Sequence, residues 1–327
     1  MPWSTVVPTS DDLFRDTNAA FQKTYRDVVG RNTKLPSIMR LGVPSSRRKE
    51  FFGYMESPPT ISRVDRGEAI SEDAFKAISY SVENLTWGAS IGYYEDDLED
   101  LQVGDIRQVA AGLAKRAAAL SEQVAFQILT GSSNASLLKA VPLAPDGAAL
   151  YATTAGGSAR FGVTNGNLLT GSDVSTGANI RQDFWAAISQ ASQFQDTEGE
   201  PLLEEGIADG GVTVVFGAGN MEAFSQAFLQ TRTLNSAAVT NTVIEGYSGQ
   251  VKLWPTARIT DDDWFIFLGS EALPRPLFET VRQAPRLIDE TRENSERARR
   301  YRILSSLLDM RAGYGINLPY STIKINN

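Results

Sequence analysis

Apolar residues recur every three or four positions in some stretches of this chain and at every second position in others, so helices and strands can be placed before any chemistry is considered. Phe14, Phe21, Tyr25 and Val28 hold helical spacing. Ser10 is a candidate N-cap, Asp11 and Asp12 suit the first turn, and Gly30 is placed to end the helix. Such a helix either docks on its own domain or forms an arm that docks on a neighbour. Residues 47–95 read as extended: Pro58-Pro59 breaks any helix, Ile78, Tyr80 and Val82 alternate, and Trp87, Ala89, Ile91 and Tyr93 follow with the same period. A two-stranded excursion of this kind has little to bury against itself, because an isolated hairpin is marginal in water, so it is expected to lie on something else.

The longest helical signal runs from Asp105 to Leu129, with Ile106, Val109, Leu113, Ala117, Leu120, Val124 and Ile128 on one stripe, a rod of roughly 37 Å ended by Gly131. Residues 131–178 are rich in Gly, Ser, Ala, Thr and Asn without a sustained period, which predicts a functional or partner-ordered loop. Asn179 is then expected to cap a helix carrying Ile180, Phe184 and Ile188, followed by a buried strand, Val212–Phe216, and a helix with Met221, Phe224 and Phe228. Trp264–Leu268 reads as a second fully apolar strand. Near the end, Leu304, Ser306, Leu308, Met310, Ala312, Tyr314 and Ile316 share one face of a long strand. The pattern as a whole is α+β.

Composition removes most catalytic chemistry. Among 327 residues there is no His and no Cys, so Ser-His-Asp and Cys-His nucleophiles, His or Cys metal sites, disulfides and an imidazole switch are all excluded. What remains is carboxylate, Lys or Tyr chemistry. A net charge of -8 argues against general coating of nucleic acid, which needs clustered Lys and Arg. No apolar run reaches the length that crosses a bilayer, and the N-terminus lacks the regions of a signal peptide, so no membrane partner is expected.

The remaining motifs favour structural readings. Gly217-Ala218-Gly219-Asn220-Met221-Glu222 sits between strand and helix, but Glu222 stands where a pyrophosphate needs room, so a strand-to-helix turn capped by Asn220 is expected. Gly246-Tyr247-Ser248-Gly249 misses the nucleophile-elbow spacing. The acidic run Glu95, Asp96, Asp97, Glu99 and Asp100 suits a helix N-terminus, and it lacks the spacing of a calcium loop. Asp261, Asp262 and Asp263 are consecutive before a strand and cannot converge as a glycosidase pair must, so a turn is expected. No catalytic residue, cofactor or metal ligand is assigned. The charged stretch ending in Arg297, Arg299, Arg300 and Arg302 reads as a solvated face, with salt bridges to another chain or contact with a polyanion as alternatives.

Taken in order, these parts resemble the major capsid proteins of tailed bacteriophages, and most of all the Mu-like major head subunit family. The resemblance runs from about Phe52 to the end. It rests on the extended segment from Phe52, the stretch YSVENLTWGASIGYYEDDLED, the long helix, DGAALY followed by Asn165, FWAAISQASQFQDTEGEPLL before VTVVF, then WFIFL and YRILSSLLDMRAGYGINLP. Where the family often has a His after the DG motif, this chain has Thr153, Thr154 and Ala155. The resemblance implies an α+β tailed-phage major capsid fold: an N-terminal arm (1–46), an extended hairpin loop (47–95), a peripheral domain with a long spine helix and a Gly/Ser-rich loop (96–178), an axial domain (179–262), and a return to the peripheral domain (263–327).

It also implies a non-enzymatic head protein that self-assembles into pentamers and hexamers around double-stranded DNA held non-specifically, located in the virion and assembled in the host cytoplasm. A portal and a separate scaffolding protein are implied partners, since no coiled coil precedes the fold and no cleaved propeptide is expected; a decoration protein is a further one. Intersubunit contacts are expected from Phe14, Phe21, Tyr25, Arg47, Arg48, Trp87, Arg297, Arg299 and Arg300. The alternatives are an encapsulin-like nanocompartment shell and, more remotely, a carboxylate-dependent hydrolase.

Overall fold

The computed structural model describes residues 10–57, 76–94, 106–132, 134, 136–203, 211–228, 232–234, 237–239, 251–269, 275–291 and 294–327. Helix α1 (Ser10–Arg31) leads into strand β1 (Met39–Pro44), the hairpin of β2 (Lys49–Ser57) and β3 (Lys76–Glu83), and β4 (Leu85–Tyr94). The long helix α2 (Ile106–Thr130) follows, then the short strands β5 (Thr154–Ala155), β6 (Ser158–Ala159) and β7 (Leu168–Thr170), and helix α3 (Gly177–Ala191). Strand β8 (Gly211–Gly217) and helix α4 (Met221–Phe228) precede β9 (Arg232–Leu234), β10 (Ala237–Val239), β11 (Val251–Thr256) and β12 (Trp264–Gly269). The chain closes with β13 (Leu277–Glu290), helix α5 (Glu296–Tyr301), β14 (Ile303–Ile316) and β15 (Thr322–Asn326).

Two sheets organise these elements. The first has the order β1-β13-β14-β4 and carries α1 and α2 on one face. Strand β14 presents the expected face to the helices, with Leu308 against Phe21 and Met310, Ala312, Tyr314 and Ile316 beneath the C-terminal half of α2. The second sheet has the order β11-β8-β12-β15-β7 and is buried on both faces, which is why its central strands read as continuous apolar runs. Along β12, Trp264, Ile266 and Leu268 face α3 and α4, whereas Phe265 and Phe267 face the end of α2. Val212, Val214 and Phe216 of β8 point with the first set and Val215 with the second.

Several expected boundaries move. Helix α1 continues through Gly30 to Arg31; nothing crowds Gly30, and a glycine inside a helix weakens it without breaking it. Strand β4, expected within the extended loop, is a sheet member, paired residue for residue with β14 from Leu85↔Ala312 to Tyr94↔Ile303. Its alternate side chains Leu85, Trp87, Ile91 and Tyr93 are buried or partly buried under the helices, and that burial is what draws it into the sheet. The hairpin proper is therefore β2 and β3. At the other end, β12 and β15 pair with each other in the second sheet, and of the strands in residues 263–327 only β13 and β14 join the first.

Helix α3 is capped by Thr176, whose hydroxyl accepts from the Asn179 backbone N–H, while Asn179 donates through its side chain to Asp173. Asn220 likewise does not cap α4; a 3-10 turn spans Ala218–Asn220 and its amide donates to Asp262. Gly217 is closely packed there, since a Cβ would lie 3.0 Å from the Ile259 carbonyl.

The base of the hairpin rests on the face of the first sheet opposite the helices. Phe52 packs edge-on to Phe278 of β13 with ring centroids 4.8 Å apart, and Tyr80 meets the same ring at 6.4 Å. The seat is possible because β14 has glycine below it. A Cβ at Gly315 would lie 2.6 Å from the Phe278 ring and 2.7 Å from Val82, and one at Gly313 would lie 2.8 Å from the Glu83 carbonyl. Gly315→Ala is expected to lower stability by about 1–3 kcal/mol through overpacking, seen as a lower urea midpoint at unchanged slope. A wild-type midpoint would mean that the hairpin base is not seated there.

Candidate assembly surfaces

The expected intersubunit residues separate into two groups. Phe14 packs on Tyr93, Ala298 and Leu304, and Phe21 on Ala110, Ala114, Ala117, Leu287 and Leu308 of its own chain. Tyr25 is stacked on Phe21 at 6.2 Å. Trp87 donates its indole N–H to the Ala312 carbonyl at 3.2 Å and stands edge-on to Tyr314. In this conformation the contact expected between neighbours is thus made within the subunit, because an amphipathic helix beside a half-apolar sheet face buries its stripe there first.

The arginines do face solvent. Arg48 pairs with Glu83 at 2.9 Å, which ties the start of β2 to the end of β3, and Arg47 is exposed beside it. Arg297, Arg299 and Arg300 are exposed on α5, with Arg300 pairing to Glu296 one turn earlier. Exposed Tyr301 and Tyr94 lie at the same end of the sheet, since Tyr94 is paired with Ile303.

Phe51 was not singled out by pattern, yet it is 69% exposed on β2, back to back with the seated Phe52. Two adjacent aromatics in a strand must point to opposite faces, and that was the available signal. On the uncovered part of the outer sheet face, Ile288 and Tyr94 are exposed and Ile303 and Leu307 half-buried. The hairpin therefore offers an aromatic outward, and the sheet offers exposed and half-exposed apolar side chains at Ile288, Tyr94, Ile303 and Leu307.

The Gly/Ser-rich segment is ordered by polar groups. Arg160 is 2% exposed and grips Asp146 with two hydrogen bonds of 2.7 and 3.0 Å, while its third nitrogen donates to the carbonyls of Ala149 and Leu150 and to Asn167 Oδ1. Fully buried Asn167 donates in turn to the carbonyls of Leu150, Pro319 and Thr322. The loop is thereby stitched to the second sheet. Asp263 is held by Lys324 at 2.5 Å and accepts from the Asn327 backbone N–H, and Asp262 accepts from the Asn220 amide, so these two carboxylates have structural partners at a bend before β12.

The described residues include no cluster of acidic groups fit to hold a metal ion. An open depression of about 330 Å³ on α1 is lined by Arg15, Asn18, Ala19 and Gln22, a set without a nucleophile or a carboxylate pair. No helix among the described residues is long and apolar enough to cross a membrane. The acidic run 95–100 and the stretch 246–249 lie outside the described residues.

Residues 11–137 match the family described as Mu-like prophage major head subunit gpT. No curated protein matches the chain. The fold is similar to that of the mature capsid of bacteriophage PhiM1, at 12% identity and a TM-score of 0.55, covering 90% of this chain and 87% of that one. It is similar to the capsid of the Myoviridae phage XM1, at 11% identity and a TM-score of 0.54 with 90% of each chain covered. The virus-like particle from Pyrococcus furiosus is similar at 10% identity and a TM-score of 0.53, covering 95% of this chain and 98% of that one. The chain resembles the Mu-like major head subunits in sequence over residues 11–137 and has, over most of its length, the α+β fold of the tailed-phage major capsid proteins.

Proposed function

We propose that this chain is a major capsid subunit that associates with copies of itself, as pentamers and hexamers, into a closed icosahedral shell around double-stranded DNA. The observation that carries the reading is the β2–β3 hairpin, held to its own subunit at its base and presenting Phe51 outward, in a chain matched to a head-subunit family. A surface aromatic on a hairpin strand gains burial only when a second molecule covers it. The reading is non-catalytic. Residues 1–46 serve as the arm and the exposed arginines 47, 48, 297, 299 and 300 as rim contacts, whose individual contributions are small when solvated.

With a net charge of -8, the shell wall repels packaged DNA on average, so contacts to it are few, non-specific and made by scattered arginines. The same reading places the protein in the virion and calls for a portal and a separate scaffolding protein, with a decoration protein as a further partner. Negative-stain microscopy of natively purified protein tests it. Uniform shells or capsomers are expected, with nuclease-protected DNA in particles from infected or induced cells. Shells filled with protein cargo would instead favour a nanocompartment. A homogeneous monomer would sink both.

A further inference from the structure

Strand β13 places two carboxylates on the face that α1 and α2 cover. Glu279 accepts from Ser121 of α2 at 2.6 Å and from the Tyr314 hydroxyl of β14 at 3.2 Å, with the Gly42 N–H of β1 as a further donor. Asp289, ten residues along, accepts from Ser306 of β14 at 2.8 Å. Both lie in the row that includes Leu287, on which Phe21 of α1 packs, and Gln22 of α1 donates to the Pro285 carbonyl between them. Among the described residues neither carboxylate is paired with a Lys or Arg.

We propose that Glu279 and Asp289 form a proton-dependent latch beneath α1, docking the helix on its own subunit when they are protonated and loosening it when they are ionised. An ionised carboxylate held only by neutral donors keeps an uncompensated charge in the layer, whereas lifting α1 returns it to water. The surroundings of the pair are specific. Tyr25 on α1 and Tyr314 on β14 are pushed up by burial and then by Glu279, and Tyr93 on β4 by burial and by Asp289. On α1, Asp16 is engaged by Arg107, while Arg15, Lys23 and Arg26 are exposed; on α2, Glu122 is engaged by Arg258, and Lys115 and Arg116 are exposed.

Burial raises both carboxylates above their ordinary values. The docked state therefore binds protons more tightly than the lifted one. Its advantage is complete below the ordinary carboxylate range and is lost as pH rises through the raised values. The latch is a property of the subunit and holds whether or not the shell reading does. If α1 is also the arm of that reading, the latch decides when the arm is free to reach a neighbour.

Hydrogen exchange of the full chain from the ordinary carboxylate range upward, about pH 4 to pH 8, corrected for intrinsic rates, tests it: protection of α1 amides should fall by up to about tenfold per pH unit for each carboxylate between its ordinary and its raised value. Glu279→Gln with Asp289→Asn should keep α1 protected and remove the slope. An α1 protection independent of pH, or a slope unchanged by the substitutions, overturns the proposal. If the double variant does not fold, the two single variants decide, since each must remove its own share of the slope. Microscopy of the same samples reports on shells separately.

Discussion

Arg160→Ala is expected to lower the unfolding free energy by about 3–5 kcal/mol. The guanidinium is buried, and its removal strands the Asp146 carboxylate, the carbonyls of Ala149 and Leu150 and one lone pair of Asn167. Water cannot reach all of them without opening the segment between α2 and β7. Because Asn167 passes the network on to Pro319 and Thr322, the loss propagates to β15 and the second sheet. Arg160→Lys should fall between wild type and alanine, since a single ammonium cannot reproduce the planar fork that meets both Asp146 oxygens. Urea unfolding measures both. An alanine variant within about 1 kcal/mol of wild type would show that the network is not buried as described.

Replacing residues 53–79 by an Asn-Gly turn is expected to abolish closed shells while leaving the subunit folded. Phe52 and Tyr80 are register partners, so a two-residue turn can join them without moving the aromatic seat on Phe278. The shortened chain should unfold with a midpoint close to wild type, because none of the described residues in the excised part belongs to a core cluster. Sedimentation should then show monomers or small oligomers under conditions where the full chain forms particles. Closed particles of normal size would mean that residues 53–79 do not join subunits, and the reading would have to rest on the retained Phe51, on α1 or on the arginines of α5.

Much of the architecture was legible from period alone. The doubly apolar β8 and β12 and the one-sided β14 each declare their burial through the spacing of side chains, which follows from strand geometry before any tertiary contact exists; the α2 stripe does so only toward its C-terminal end, since Val109 is exposed and Ala110 and Ala114 are buried in its place. The acidic composition and the lack of His and Cys likewise removed whole classes of chemistry without a structure. What pattern could not assign was partnership. Strand β4 alternates in the same way as β3, yet one joins β14 and the other β2. Trp87, expected at a neighbour, is bonded to Ala312, and Phe51, not expected there, faces out.

The buried polar groups mark the same limit. Arg160, Asn167 and Glu279 look in the sequence like any solvent-facing residue, because their burial depends on partners 7 to 158 residues away. The sequence by itself determined the fold class, the elements and the exclusion of most enzymatic chemistry, all of which follow from local periodicity and residue type. Only the tertiary structure decided which strands pair, that α1 lies on its own subunit, and where the carboxylates beneath it sit, because pairing and desolvation are long-range quantities with no local period to reveal them.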